Sequence, residues 1–248
     1  MTLRYPLMAA TILLFSFVSL AQEQVVIALK SEPHHHLTLH NDYVNVYSVY
    51  VSPHDSVLLH KHDVDAISIV MSDSEITVRA PGKSDSEQKV VKGQLRLQSA
   101  GYVHSTSIDG DTPYQNVTVA LLAPQKSPRN LCSAVIPGQP INCPEPSSQP
   151  DSHGRSEQPQ FQTDQTKVTL IRILPMQSAT LDTQGLPQLI VVLNDVGIQD
   201  NKNNAGKILR TGDQLWRDSD SAPEIFANNS ANEARLVCFA FQKQRHAE

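Results

Sequence analysis

Asn41-Asp-Tyr-Val-Asn-Val-Tyr-Ser-Val-Tyr-Val-Ser-Pro53 lines up without a gap on Thr163-Asp-Gln-Thr-Lys-Val-Thr-Leu-Ile-Arg-Ile-Leu-Pro175. Both stretches alternate β-branched or aromatic residues with polar ones, and both stop at a proline, which has no N–H for a continuing ladder. The same offset carries Ala66-Ile-Ser-Ile-Val-Met-Ser-Asp73 onto Gln188-Leu-Ile-Val-Val-Leu-Asn-Asp195. Further on, Lys92-Gly93 matches Thr211-Gly212, and Val117–Leu122 matches Leu236–Phe241. A nearly constant offset over several segments marks an internal repeat, here two copies of roughly 80 residues about 120 positions apart. Helical periodicity is almost absent. Short strands broken by Gly, Pro, Asn and Asp turns predict an all-β chain of two tandem closed barrels or jelly rolls, an architecture that also removes free strand edges.

Around the repeat, the chain divides into four parts. Residues 1–21 carry one charge, Arg4, and an apolar run from Leu7 that ends in Ser19-Leu20-Ala21. That is the form of a secretory signal peptide, too short and wrongly flanked for a stable membrane span. The expected location is therefore periplasmic or extracellular. Residues 22–126 hold the first barrel and 161–248 the second. Between them, 127–160 is rich in Pro, Ser, Gln and Asn and has no period, so it reads as a linker. In an oxidising compartment Cys132 and Cys143 are expected to close a short disulfide loop within it, while Cys238 lies in an apolar strand and reads as an inert buried thiol. The formal charge of −5, with no basic stripe, argues against nucleic acid as a partner. Trp216 reads as a core or pocket-wall residue.

The chemistry lies in the first copy. Val57-Leu-Leu-His60-Lys61-His62 predicts a strand with histidines at i and i+2, and side chains two apart on a strand share a face. His104 follows a glycine turn in Gly101-Tyr-Val-His104. On neighbouring strands the three imidazoles converge, and neutral imidazole suits a divalent ion such as Fe, Mn, Zn or Ni. Three protein ligands leave positions open for water or a small molecule. A hydrogen-bonded histidine cluster without metal is the alternative. The tract His34-His35-His36 with His40 is expected to be solvated and at most an adventitious metal binder, since consecutive residues cannot all face one ion. In the second copy Asp182, Gln184 and Pro223 stand where the first has its histidines, and none occurs between His153 and His246. That barrel is expected to pack against the first, or to bind something without metal.

These residues resemble the two motifs of the cupin family, G-x5-H-x-H-x3–4-E-x6-G and G-x5-P-x-G-x2-H-x3-N. Gly93, Gly101 and His104 match the second in spacing, with Ser99 in place of its proline and Ile108 in place of its asparagine. His60 and His62 match the first, His54 takes the place of its first glycine, and Ser72-Asp73 sits at its last turn. The glutamate is missing: Ala66 and Ile67 occupy its spacing, and Asp65, one position short, is the candidate to reach a metal or its water. The resemblance spans both repeats. H-x-H alone is a weak signal; joined to the second motif at this spacing it is a moderately strong one.

The resemblance implies a small molecule in the barrel cavity and a homodimer formed through sheet faces. Two functions follow. One is a metal-dependent enzyme of the dioxygenase, isomerase or decarboxylase type, in which Asp65 orients water or acts as base. The other is a non-catalytic binding module using the same cavity. The fold hosts both, so it does not choose between them. Arg96 is a candidate to face the cavity.

Overall fold

The computed structural model describes residues 25–144, 150–152, 154–199 and 206–242, so the predicted leader lies outside the described residues. Among the described residues no helix is long and apolar enough to cross a membrane. The first barrel comprises β1 (Ile27–Ala28), β2 (His35–His40), β3 (Val44–Val51), β4 (His60–Lys61), β5 (Ala66–Val70), β6 (Ser74–Arg79), β7 (Ser86–Val90), β8 (Leu95–Gln98), β9 (Val103–Ser107) and β10 (Tyr114–Leu121), with a 3-10 turn at Leu29–Ser31. They form two sheets, ordered β1-β4-β9-β6-β7 and β2-β3-β10-β5-β8.

The second barrel comprises β11 (Arg129–Asn130), β12 (Arg155–Gln162), β13 (Thr166–Ile173), β14 (Ser178–Leu181), β15 (Gln188–Val192), β16 (Val196–Gln199), β17 (Lys207–Leu209), β18 (Gln214–Arg217), β19 (Glu224–Ala227) and β20 (Ala234–Phe241). Its sheets run β11-β12-β13-β20-β15-β18 and β14-β19-β16-β17, so β13-β20-β15-β18 repeats the order β3-β10-β5-β8. The repeat extends to turn chemistry. His54 and Met176, each following the proline that ends a matched strand, have φ of 59° and 58°, which is why the cupin motif has glycine at the first of these places. Gly93 and Gly212, at φ 90° and 89°, each donate N–H at 2.8 Å to the last carbonyl of β5 or β15, that of Val70 or Val192. Asp73 and Asp195 then accept the N–H of Lys92 and Thr211.

Residue parity decides what each strand buries. In β5, Ala66 and Val70 face the first barrel's interior and Ile67 and Ile69 face away from it, yet all are buried. In β15, Ile190 and Val192 face inward and Leu189 and Val191 outward, equally buried. A continuous apolar run is what a strand covered on both faces needs. The outward residues of β3, β5 and β10 meet those of β13, β15 and β20 in one shared core. One sheet face of the first barrel is thus covered by the chain's own second barrel.

The stretch 127–160 is largely built into the structure. Arg129 and Asn130 pair with Gln162 and Phe161, and β12 pairs along β13. Val135 is fully buried in the inter-barrel core and its carbonyl accepts Leu97 N–H at 3.0 Å. Cys132 and Cys143 are disulfide-bonded and Cys238 is free and buried, as expected. β12 escaped the sequence reading because Pro159 interrupts its pattern; the ladder accommodates it with a register shift between Pro159 and Phe161.

Candidate metal centre

His60 and His104 are directly opposed across the β4–β9 pair, and the pairing continues through His62 N–H to Tyr102 O at 2.9 Å and Gly101 N–H to His62 O at 2.7 Å. Gly101, at φ 85°, makes the turn that feeds β9. The i, i+2 parity therefore puts His60, His62 and His104 on one inner face. All three are buried, and one ring nitrogen from each lies within 4.8 Å of the others. Ring centroids are 4.5 Å apart for His60–His104, 5.2 Å for His62–His104 and 5.3 Å for His60–His62.

Electrostatics keep these rings neutral. Burial, aided by the neighbouring histidines, pushes His62 down to about 3 and His104 to about 2, and burial lowers His60 as well. His60 Nδ1–H donates to Leu58 O at 2.9 Å, which leaves its Nε2 as a bare lone pair, buried and without a partner. His62 Nε2 and His104 Nε2 lie 3.1 Å apart. Neutral imidazoles converging on one point, one with an orphaned lone pair, fit a borderline divalent ion such as Fe, Mn, Zn or Ni, and suit Ca or Mg poorly.

Two predicted features are placed differently. Asp65 does not face the histidines: its two carboxylate oxygens accept Ala100 N–H at 3.0 Å and Gln125 N–H at 3.1 Å, and it is not part of the cavity wall. Its expected role at a metal or as a base is corrected accordingly, to a tie between two chain segments. Nor is the His34–His40 tract merely solvated. His36 and His40 are exposed, but His35 starts β2, has a side chain 5% exposed, lines the cavity, and packs on His60 at 4.9 Å between centroids. Its Nδ1 donates to Glu32 at 2.6 Å. Burial alone would raise the Glu32 carboxyl; hydrogen bonds from His35, His34 and the Leu58 amide outweigh it and hold the group at about 2.

The cavity beside the histidines has a volume of about 340 Å³. Tyr102 stacks on His104 at 4.7 Å, and Arg96 and Gln98 of β8 face in with Asn116 and Thr118 of β10. Pro137, from the disulfide loop, closes part of the wall. Ala66, at the spacing of the missing glutamate, is buried in the apolar interior and offers no ligand atom. Among the described residues no second such cluster occurs. In the second barrel Ala179 and Leu181 of β14 and Phe226 of the paired β19 belong to an apolar core, and Asp182 and Gln184 lie in the turn after β14.

No protein-family model and no curated protein matches the sequence. Solved structures do match in fold. AerE from Microcystis aeruginosa superposes with a TM-score of 0.56 at 13% identity, over 86% of this chain and 99% of that one. Salicylate 1,2-dioxygenase from Pseudaminobacter salicylatoxidans gives 0.52 at 12% identity, over 83% and 76% of the two chains. The same dioxygenase with gentisate gives 0.53 at 11%, over 80% and 68%. Strand order, the repeated turns, the inward histidines and these superpositions agree that the chain has the cupin fold, written twice in tandem.

Proposed function

We infer that the first barrel binds one divalent metal ion through His60, His62 and His104 and takes a small molecule into the adjoining cavity, while the second barrel serves as its packing partner. The observation that carries this reading is the set of three buried, neutral imidazoles on the wall of a cavity of about 340 Å³. Bound there, the metal would supply Lewis acidity or an oxygen-binding centre. Arg96 and Gln98 give the cavity a polar wall suited to a ligand with an anionic or carbonyl group. The protein is proposed to act outside the cytoplasm, supported by the form of residues 1–21 and by the disulfide.

Turnover is the second reading. It is favoured by a histidine set that leaves coordination positions open, as in reactive metal sites, and by the likeness in fold to a dioxygenase that has been seen with gentisate. Among the described residues lining the cavity none is a carboxylate, so a base for such turnover would have to be a histidine or metal-bound water.

Elemental analysis of protein purified without a histidine tag, after reconstitution with Fe, Mn, Zn and Ni in turn, tests the first reading. Near-stoichiometric metal is expected. The double variant His60→Ala/His62→Ala is expected to lose it, and Asp182→Ala to keep it. Metal retained by the double variant would place the site elsewhere, and no metal in the wild type would end the proposal.

A further inference from the structure

The N-terminal segment of the first barrel, ahead of the repeated strands, builds one wall of the centre. β1 runs parallel to β4, with Ile27 beside His60, and Ile27 N–H donates to Leu59 O at 3.1 Å. After the 3-10 turn comes Glu32, whose side chain has no exposure. One of its oxygens accepts His34 N–H at 2.8 Å and His35 Nδ1–H at 2.6 Å; the other accepts His34 Nδ1–H at 3.0 Å and Leu58 N–H at 3.1 Å. Leu58 is the pivot, because its carbonyl receives the Nδ1–H of His60 at 2.9 Å. One carboxylate thus holds a ring proton on Nδ1 of His35 and braces the backbone that orients His60, whose Nε2 is left as a bare lone pair.

We propose that Glu32 is the positioning residue of the metal centre, a carboxylate supplied from outside the repeat that orients His60 through the backbone N–H and C=O of Leu58 and seats His35 beside it. The proposal rests on the metal reading of His60, His62 and His104. Outer carboxylates of this kind orient ligand imidazoles and raise their basicity, and their removal typically weakens metal binding by about 10- to 100-fold. The glutamate absent after His62 is therefore not replaced as a ligand; its place in ordering the site is taken by a residue ahead of β2. His35, packed on His60 and lining the cavity, brings its ring next to whatever the cavity holds.

Co(II) titration of the wild type and of Glu32→Gln, read by competition with a chelator and by the visible d–d spectrum, tests this. The variant is expected to bind Co(II) about 10- to 100-fold more weakly with shifted bands. In the metal-free wild type, long-range 15N–1H NMR correlations are expected to show His60 as a single Nδ1–H tautomer and a proton held on Nδ1 of His35, and in Glu32→Gln Nδ1 of His35 is expected to lose that fixed proton. Such tautomer and spectral changes are not produced by a loss of stability alone. Wild-type affinity and spectrum in Glu32→Gln overturn the proposal. If that variant fails to fold, Glu32→Asp replaces it: a shorter arm is expected to loosen Co(II) by about 10-fold, and unchanged binding again overturns the proposal. A wild type that binds no Co(II) overturns the metal reading and this one together, whereas His60→Ala losing Co(II) while Glu32→Gln keeps it overturns this one alone.

Discussion

Asp65 shows how one carboxylate can be taken from chemistry by the backbone. Its oxygens hold the amide of Ala100, at the turn into β9, and that of Gln125, just past β10. Its own carbonyl accepts Leu121 N–H at 2.8 Å. Hydrogen bonds from amides to an ionised acceptor are worth about 1.5–3 kcal/mol when buried and less at a partly exposed site. Asp65→Ala is expected to cost about 1–3 kcal/mol in all, seen as a Tm lowered by about 2–4 °C per kcal/mol, with metal content unchanged. Lost metal with unchanged Tm would return Asp65 to the site. The histidine triad was legible from sequence because strand parity and a glycine turn are local rules. His35 and Glu32 were not, since Glu32 bonds Leu58, 26 residues away, and His35 packs on His60, and no periodic pattern announces such contacts.

The element that most departs from its sequence is the stretch between the barrels. Its prolines and polar residues contain no alternation, yet Asn130 anchors it through its side-chain amide to the carbonyls of Ile136 and Gln139, at 2.9 and 3.1 Å, while its side-chain oxygen takes Ile136 N–H. These bonds fold the chain back so that Val135 enters the core and Pro137 reaches the cavity wall. Irregular backbone held by side-chain hydrogen bonds has no hydrophobic period, which is why it reads as a free linker. The Cys132–Cys143 bond, with a sequence separation of 11, closes this fold. Loop-closure entropy for a ring of that size is about 3 kcal/mol. The double variant Cys132→Ser/Cys143→Ser is therefore expected to lower the denaturant midpoint by an amount worth about 2–3 kcal/mol with little change in slope. An unchanged midpoint would mean that the Asn130 bonds and Val135 packing alone hold the loop.

For the molecule as a whole, the core between the barrels draws on both and includes the outward faces of β5, β10, β15 and β20. Small or polar contacts between domains let them move and unfold separately; a large apolar one couples them. Exposing Ile67, Ile69, Val119, Leu189, Val191 and Phe239 together, all fully buried, is unfavourable by about 1.5–3 kcal/mol for each side chain. That penalty is comparable with the whole net stability of a domain, about 5–15 kcal/mol, so the barrels are expected to part only when they unfold. The chain carries its own reporters for this claim. Trp216, the sole tryptophan, belongs to the second barrel and packs on Tyr43 of the first at 5.5 Å and on Phe241 at 5.6 Å. A Co(II) ion at the histidines would report from the first barrel. In urea, loss of the Trp216 signal and loss of the Co(II) bands are expected to follow one curve with one midpoint. Trp216 responding at lower urea than the Co(II) bands would mean that the barrels part before the metal barrel opens, and that the second barrel does not stabilise the first.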